Sequence, residues 1–303
     1  MGNAEIINEI NKLKKERDAV IVSHSYQIGD IQDIADIVGD SFALSKYCAT
    51  RDSKVIVFCG VHFMAESAKI LSPDKTVLLP EIHAGCPMAD MAAPEKLKIE
   101  KEKYPNATVI CYINSSAAVK ALCDVCCTSS NAVKILKSVE SEEVLFLPDK
   151  NLATYCAKQV PEKKVILWEG FCPPHDKVTA ATVLKVKKEH PDALFLIHPE
   201  CRSEVIEFAD FIGSTSAIIE FAGKSDAKKF IIGTEMGVLH ALNKNNPDKT
   251  FYTLSPGLVC PNMKKITLES VYEALRDMKY QIEVPAEIAA QARKCLDKML
   301  EIA

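Results

Sequence analysis

The chain has 303 residues, 48% of them hydrophobic and 26% charged, with a net charge of −4 at pH 7. This length buries a sizeable core as two domains of ordinary size or three small ones, and the weak negative charge offers no footprint for nucleic acid. No apolar run approaches the roughly 20 residues of a membrane span, and the charged residues 1–18 lack the apolar stretch of a secretory signal. The expectation is a cytoplasmic protein with small-molecule partners, no nucleic acid and no membrane.

In chain order, residues 8–17 read as an amphipathic helix and 19–22 as a short buried strand whose end delivers Ser23-His24-Ser25-Tyr26. A helix is expected over 31–38. Gly39-Asp40-Ser41 then opens another over 42–48, and 55–59 is a continuous apolar strand. Helix 63–71 and strand 77–79 lead to Gly85-Cys86-Pro87. A second passage through the pattern takes helix 95–103, strand 108–111 ending in Tyr112-Ile113-Asn114, then Thr128-Ser129-Ser130, and strand 165–167 running into Gly170-Phe171-Cys172-Pro173-Pro174-His175. A third takes helix 181–189, strand 194–197 ending in His198-Pro199-Glu200, then Gly213-Ser214-Thr215, and strand 251–254 before Gly257-Leu258-Val259-Cys260-Pro261. Helices near 270–278 and 285–299 close the chain and are free to pack on another copy.

The landmarks keep step. Cys86, Cys172 and Cys260 are 86 and 88 residues apart, His24, Tyr112 and His198 are 88 and 86 apart, and Ser41, Ser129 and Ser214 are 88 and 85 apart. Third strands at Ile56, Phe146 and Ile231 follow the same rhythm. Self-similarity at a fixed period implies a chain built in triplicate, over residues 1–87, 88–174 and 175–303 with the tail, and one thiol per copy aimed at a shared point. Strands alternating with helices make each copy an α/β unit around a parallel sheet covered on both faces.

Ligand groups in such sheets lie beyond the carboxyl ends of the strands, where loops and helix N-termini gather. His24, Tyr112 and His198 fall there in matching positions. Ser41, Ser129 and Ser214 suit two readings: plain N-caps, or hydroxyls beside helix amides that take a carboxylate or phosphate, a set of three fitting a polyanion. Cys86, Cys172 and Cys260 match three irons of a [4Fe-4S] cluster, leaving a fourth iron open to substrate as a Lewis acid. Cys123-Asp124-Val125-Cys126-Cys127 is a rival metal or redox motif without a second ligand pair, and most of the twelve cysteines are expected as packing residues.

These residues resemble the quinolinate synthase family. The resemblance rests on Ser23-His24-Ser25-Tyr26, Gly39-Asp40-Ser41, Val61-His62-Phe63-Met64-Ala65-Glu66, Tyr112-Ile113-Asn114-Ser115, Pro148-Asp149-Lys150-Asn151-Leu152, Glu169-Gly170-Phe171-Cys172, His198-Pro199-Glu200-Cys201 and Cys260-Pro261-Asn262-Met263-Lys264, and so spans all three copies. It implies three domains in pseudo-threefold arrangement about a [4Fe-4S] cluster on Cys86, Cys172 and Cys260, and an enzyme of NAD biosynthesis that condenses iminoaspartate with dihydroxyacetone phosphate to quinolinate, phosphate and water. It also implies iminoaspartate contacts from His24, Ser41, Tyr112, Ile113, Asn114, Ser129, His198, Pro199, Glu200 and Thr215, with Tyr26, Ser214 and His175 nearby. Glu200 is the expected base, and Tyr26, Tyr112, His24 and His198 the expected proton relays or donors. A passing contact with the iminoaspartate-producing enzyme fits the same picture. The C-terminal C-x-x-C pair of some members is missing, and Cys123, Cys126 and Cys127 are outside the family pattern. A non-enzymatic iron-sulfur sensor and a hydro-lyase using the open iron are the competing readings.

Overall fold

The computed structural model describes residues 2–302, so Met1 and Ala303, the outer limits of the first and third expected segments, lie outside it. The chain forms three four-stranded sheets. The first contains β1 (Ala19–His24), β2 (Ile37–Gly39), β3 (Val55–Cys59) and β4 (Thr76–Leu78) in the order β2-β1-β3-β4. The second contains β5 (Thr108–Tyr112), β6 (Val125–Cys127), β7 (Glu143–Leu147) and β8 (Lys164–Leu167) in the order β6-β5-β7-β8. The third contains β9 (Leu194–Ile197), β10 (Phe211–Ile212), β11 (Lys229–Gly233) and β12 (Thr250–Thr253) in the order β10-β9-β11-β12. All pairings are parallel, and one strand order used three times is the α/β triplication that the landmark spacing predicts.

One expected element is corrected. The helix predicted over 31–38 stops as Gly29–Ile34, because Ala35 turns extended (φ −77°, ψ 145°) and the next residues become β2. Asp36 drives the change: its carboxylate accepts the Ile21 N–H at 2.7 Å and its own N–H donates to the Ile21 carbonyl at 2.9 Å, drawing 37–39 alongside β1. The device recurs at Asp124 on Val109 and Asp210 on Phe195, each accepting at 2.7 Å. These aspartates are 88 and 86 residues apart, a fifth element of the repeat.

The core follows from the all-apolar strands. β3 is buried throughout, as a central parallel strand covered on both faces must be. The tail helices pack away from the third unit. Leu268, Val271 and Leu275 of helix Leu268–Asp277 join the first unit's core with Ile6 and Ile10. Ala292, Cys295, Leu296 and Met299 of helix Ala286–Ile302 join a core shared by the first and second units. Between these helices, Leu79 N–H to Tyr280 O (3.1 Å) and Ile282 N–H to Val77 O (2.8 Å) cover the edge of β4, which removes an exposed strand edge. No described helix is long and apolar enough to cross a membrane.

Replacing Asp36, Asp124 or Asp210 with alanine strands a strand N–H and should cost about 1–3 kcal/mol at each position. Urea denaturation of the three single variants checks this, and a loss confined to one of them would deny the device its common role.

Candidate active site

Each cysteine loop is tied to the end of the third strand of its own unit by the same bond. The N–H groups of His62, Lys150 and Met236 donate to the carbonyls of Ala84, Gly170 and Leu258 at 2.8, 2.8 and 2.9 Å, always two residues before the cysteine. At Gly170 the approach is so close that a Cβ would sit 2.3 Å from the Pro148 carbonyl oxygen, so the second loop requires glycine there. Cys86, Cys172 and Cys260 then line one cavity together. Burial pushes the Cys86 thiol up to about 12 and raises those of Cys172 and Cys260. Three thiols are a soft donor set, and among the described residues they do not fall within 4.8 Å of one another as donors to a single ion do. The set fits a polynuclear iron-sulfur group better than a mononuclear one. Among the described residues, the one tight constellation of metal-ligating groups is Cys172, His175 and Glu200.

His24 and His198 line the same cavity and share a local construction. The N–H two residues on, of Tyr26 (3.1 Å) or Glu200 (3.3 Å), donates to the ring Nδ1. That occupied lone pair places the hydrogen on Nε2, and burial lowers both pKa values to about 4. Both rings are therefore neutral N–H donors at neutral pH.

Glu200 is 3% exposed, and its carboxylate is not alone. Tyr112 Oη donates to Oε1 at 2.8 Å, and His175 Nδ1 lies 3.0 Å from Oε2, with His198 Nδ1 at 3.5 Å. Burial by itself raises the Glu200 pKa, but the hydrogen bonds from His175 and Tyr112 oppose it, and the carboxyl is held below its usual range. From sequence, Glu200 lacks an evident buried partner; the fold provides these. A carboxylate only accepts, so His175 Nδ1 is the donor, and in the neutral ring Nε2 then accepts from Thr234 at 3.1 Å. Thr234 in turn accepts from Tyr26 Oη at 2.8 Å, and Tyr26 accepts from Thr215 at 3.0 Å. A directed chain thus runs Thr215, Tyr26, Thr234, His175, Glu200. Burial and the Glu200 charge push the Tyr26 and Tyr112 phenols well above their ordinary value, so both keep their hydrogens.

The remaining sequence candidates divide. Ser41, Asn114, Ser129 and Thr215 line the cavity. Asn114 Oδ1 is a buried acceptor without a partner. Ile113 lines a small side pocket with Ser41, while Pro199 and Ser214 line an adjoining cleft that Ser129 also borders. The N-cap reading holds only for Ser214, which accepts the Ala217 N–H. In the first unit Asp40 caps helix Ser41–Thr50 and Ser41 is its first residue, because a carboxylate is available one position earlier; in the second, Asn131 precedes helix Ala132–Ser138 and Ser129 stands in the turn before it. Sequence reasoning missed Asp40, Thr234, Glu235 and Asp149. Asp40 and Glu235 line the cavity, and the spacing of 86 between Asp149 and Glu235 was a signal that could have found that pair.

Over residues 8–301 the chain matches the family described as Quinolinate synthetase A protein. The chain belongs to the quinolinate synthase family. Proteins named quinolinate synthase from Caldicellulosiruptor bescii (62% identical over 301 residues, 99% of each chain), Alkaliphilus metalliredigens (57% over 302, 100% of each) and Methanosarcina barkeri (53% over 302, 100% of this chain and 99% of the relative) are similar along their whole lengths. The family resemblance read from the motifs is thereby established, and with it that this is an enzyme. The C-x-x-C motif Cys123-Asp124-Val125-Cys126 sits apart from the cavity: Cys126 is fully buried with its Sγ 3.1 Å from Cys295 of helix Ala286–Ile302.

A histidine whose folded pKa is depressed costs stability as pH falls. Between about 6.5 and about 4 the unfolded chain holds the extra proton, so the protein loses stability as pH drops through that window, by up to about 3 kcal/mol for each of His24 and His198. The urea midpoint at pH 7 and pH 5 should fall less in His24→Gln than in wild type; an equal fall would mean that His24 does not titrate as a buried neutral ring.

Proposed function

We propose that this enzyme condenses iminoaspartate with dihydroxyacetone phosphate to give quinolinate, phosphate and water for NAD biosynthesis in the cytoplasm, with a [4Fe-4S] cluster on Cys86, Cys172 and Cys260. The observation that carries the reading is the meeting, in one buried cavity, of three thiols from three equivalent loops with a carboxylate kept ionised by Tyr112 and His175. When bound, the cluster supplies a Lewis acid through the iron that no cysteine holds.

The reaction needs carbon-carbon bond formation, loss of phosphate, isomerisation, ring closure and dehydration, so proton transfers outnumber redox steps. Glu200 is the general base, with Tyr112 beside it as donor. His175 is held to Glu200 on one side and Thr234 on the other, so the chain back through Tyr26 to Thr215 offers a path for proton return. The Nε2–H groups of neutral His24 and His198, with Ser41, Asn114, Ser129 and Thr215, bind the substrate carboxylates by hydrogen bonds. Helices Ser41–Thr50 and Thr215–Lys224 begin at these hydroxyls and add their N-terminal amides. Ser214 serves indirectly by capping the second helix, and Ile113 and Pro199 space the polar groups on either side of them. Burial keeps water from a hydrolysable imine, which also favours direct receipt of iminoaspartate from the enzyme that makes it.

Anaerobically purified protein given both substrates should form quinolinate; a cluster-loaded protein without turnover would point to a sensor, and hydration of a single substrate to a hydro-lyase. Serine at Cys86, Cys172 or Cys260 should remove cluster absorbance and activity together, whereas Cys126→Ser should leave both nearly intact. Loss of iron from Cys126→Ser with retention in Cys172→Ser would overturn the ligand assignment. Glu200→Gln keeps size and hydrogen bonding but not basicity, and turnover should fall by roughly 10²- to 10⁴-fold with cluster content unchanged.

A further inference from the structure

Two of the three cysteine loops are held by a buried carboxyl side chain that has no part in the chemistry above. Asp149 Oδ2 accepts the Cys172 N–H at 3.2 Å, and Glu235 Oε1 accepts the Cys260 N–H at 3.1 Å. Both stand two residues beyond the third strand of their units, 86 residues apart, and are 0% and 1% exposed. The equivalent position in the first unit, 88 residues before Asp149, is Val61, which has no acceptor to offer. The Cys86 loop is instead held from the third unit: Asn262 Nδ2 donates to the Gly85 carbonyl at 2.8 Å and Lys265 Nζ to the His83 carbonyl at 2.9 Å. Asn262 lies two residues beyond Cys260, in the very segment that Glu235 anchors. Glu235 grips that segment a second time through Lys264, whose Nζ is 2.9 Å from Oε1.

We infer that Glu235 is a positioning residue for two of the three thiols, Cys260 directly and Cys86 through Asn262, and that Asp149 positions Cys172 alone. The inference rests on the cluster reading only for its consequence, the holding of iron. The physical ground is that a loop thiol is fixed when its own N–H is fixed: Glu235, paired with Lys264, accepts that bond with a carboxylate oxygen, and Asp149, whose pKa burial and the Glu200 charge push well above its ordinary value, accepts it with a carboxyl oxygen. The triplication was broken at Val61, so the first loop depends on the third. Outer groups of this kind typically change metal retention by about 10- to 100-fold when lost.

The test compares Glu235→Leu, Glu235→Gln, Asp149→Leu and Asn262→Ala. Cluster-free full-length protein is treated with a small alkylating agent, the rate at each cysteine is followed by peptide mass mapping, and reconstituted protein is challenged with an iron chelator. Glu235→Leu should speed modification of Cys260 and Cys86 but not Cys172, and hasten iron loss by about 10- to 100-fold. Glu235→Gln, which keeps an acceptor, should restore most of the Cys260 effect. Asp149→Leu, which removes the acceptor, should change Cys172 alone. Asn262→Ala leaves the buried carboxyl side chains in place and should release Cys86 with Cys260 unchanged, which keeps the idea testable if Glu235→Leu does not fold. Equal acceleration at all three thiols, or none, would overturn the inference. Wild-type protein that takes up no iron would instead sink the cluster reading while the alkylation pattern still judged the loops.

Discussion

A buried carboxylate that must stay charged sets the terms for the centre of this molecule. Glu200 is lodged where burial alone would protonate it, and it keeps its charge because Tyr112 from the second sheet and His175 from the short helix Pro173–Asp176 beyond Cys172 donate to it. Neither donor is near it in sequence, so the charge is sustained in its buried position only when the units are docked. Removing one donor would leave an under-satisfied buried anion, which is far costlier than the net worth of the pair. The site and the assembly of the three units are therefore one energetic problem.

The parallel sheets explain why the problem arises here. Strands ending on one side deliver their loops, helix N-termini and unspent backbone groups to a common region. Asp36, Asp124 and Asp210 hold the second strand of each sheet in place, and the loop carbonyls of Ala84, Gly170 and Leu258 hold the cysteine loops by one repeated bond. Repetition gives the frame, and departures from it give the chemistry: His24, Tyr112 and His198 are equivalent by position, yet two are neutral imidazoles and one a phenol. Val61 facing Asp149 and Glu235 in the alignment of the copies is another such departure.

Much of this was legible in the sequence because it depends on period. Equal spacing of cysteines, strand-end polar groups and third strands yields the triplicated α/β fold, the thiols that share a cavity and most of the groups lining it. A pattern with no tertiary input reports these, since each copy repeats the same local solution. The misplaced helix over 31–38 shows the limit: its residues carry a helical pattern, but Asp36 spends its carboxylate on Ile21 fifteen residues earlier, and a bond of that reach outweighs local propensity.

The sequence by itself determined the number of copies, the parallel sheets and which side chains stand at strand ends, because periodicity and strand chemistry are properties of the chain. Tertiary structure alone decided what those side chains are electrically. His24 and His198 are neutral because burial and one backbone N–H each make them so, and Glu200 is ionised because two other segments reach it. Asp149 and Glu235 became anchors only where the cysteine loops fold over them. Protonation, desolvation and the choice of hydrogen-bond partner depend on distances across the fold, and those distances are fixed only when the three units close on one another.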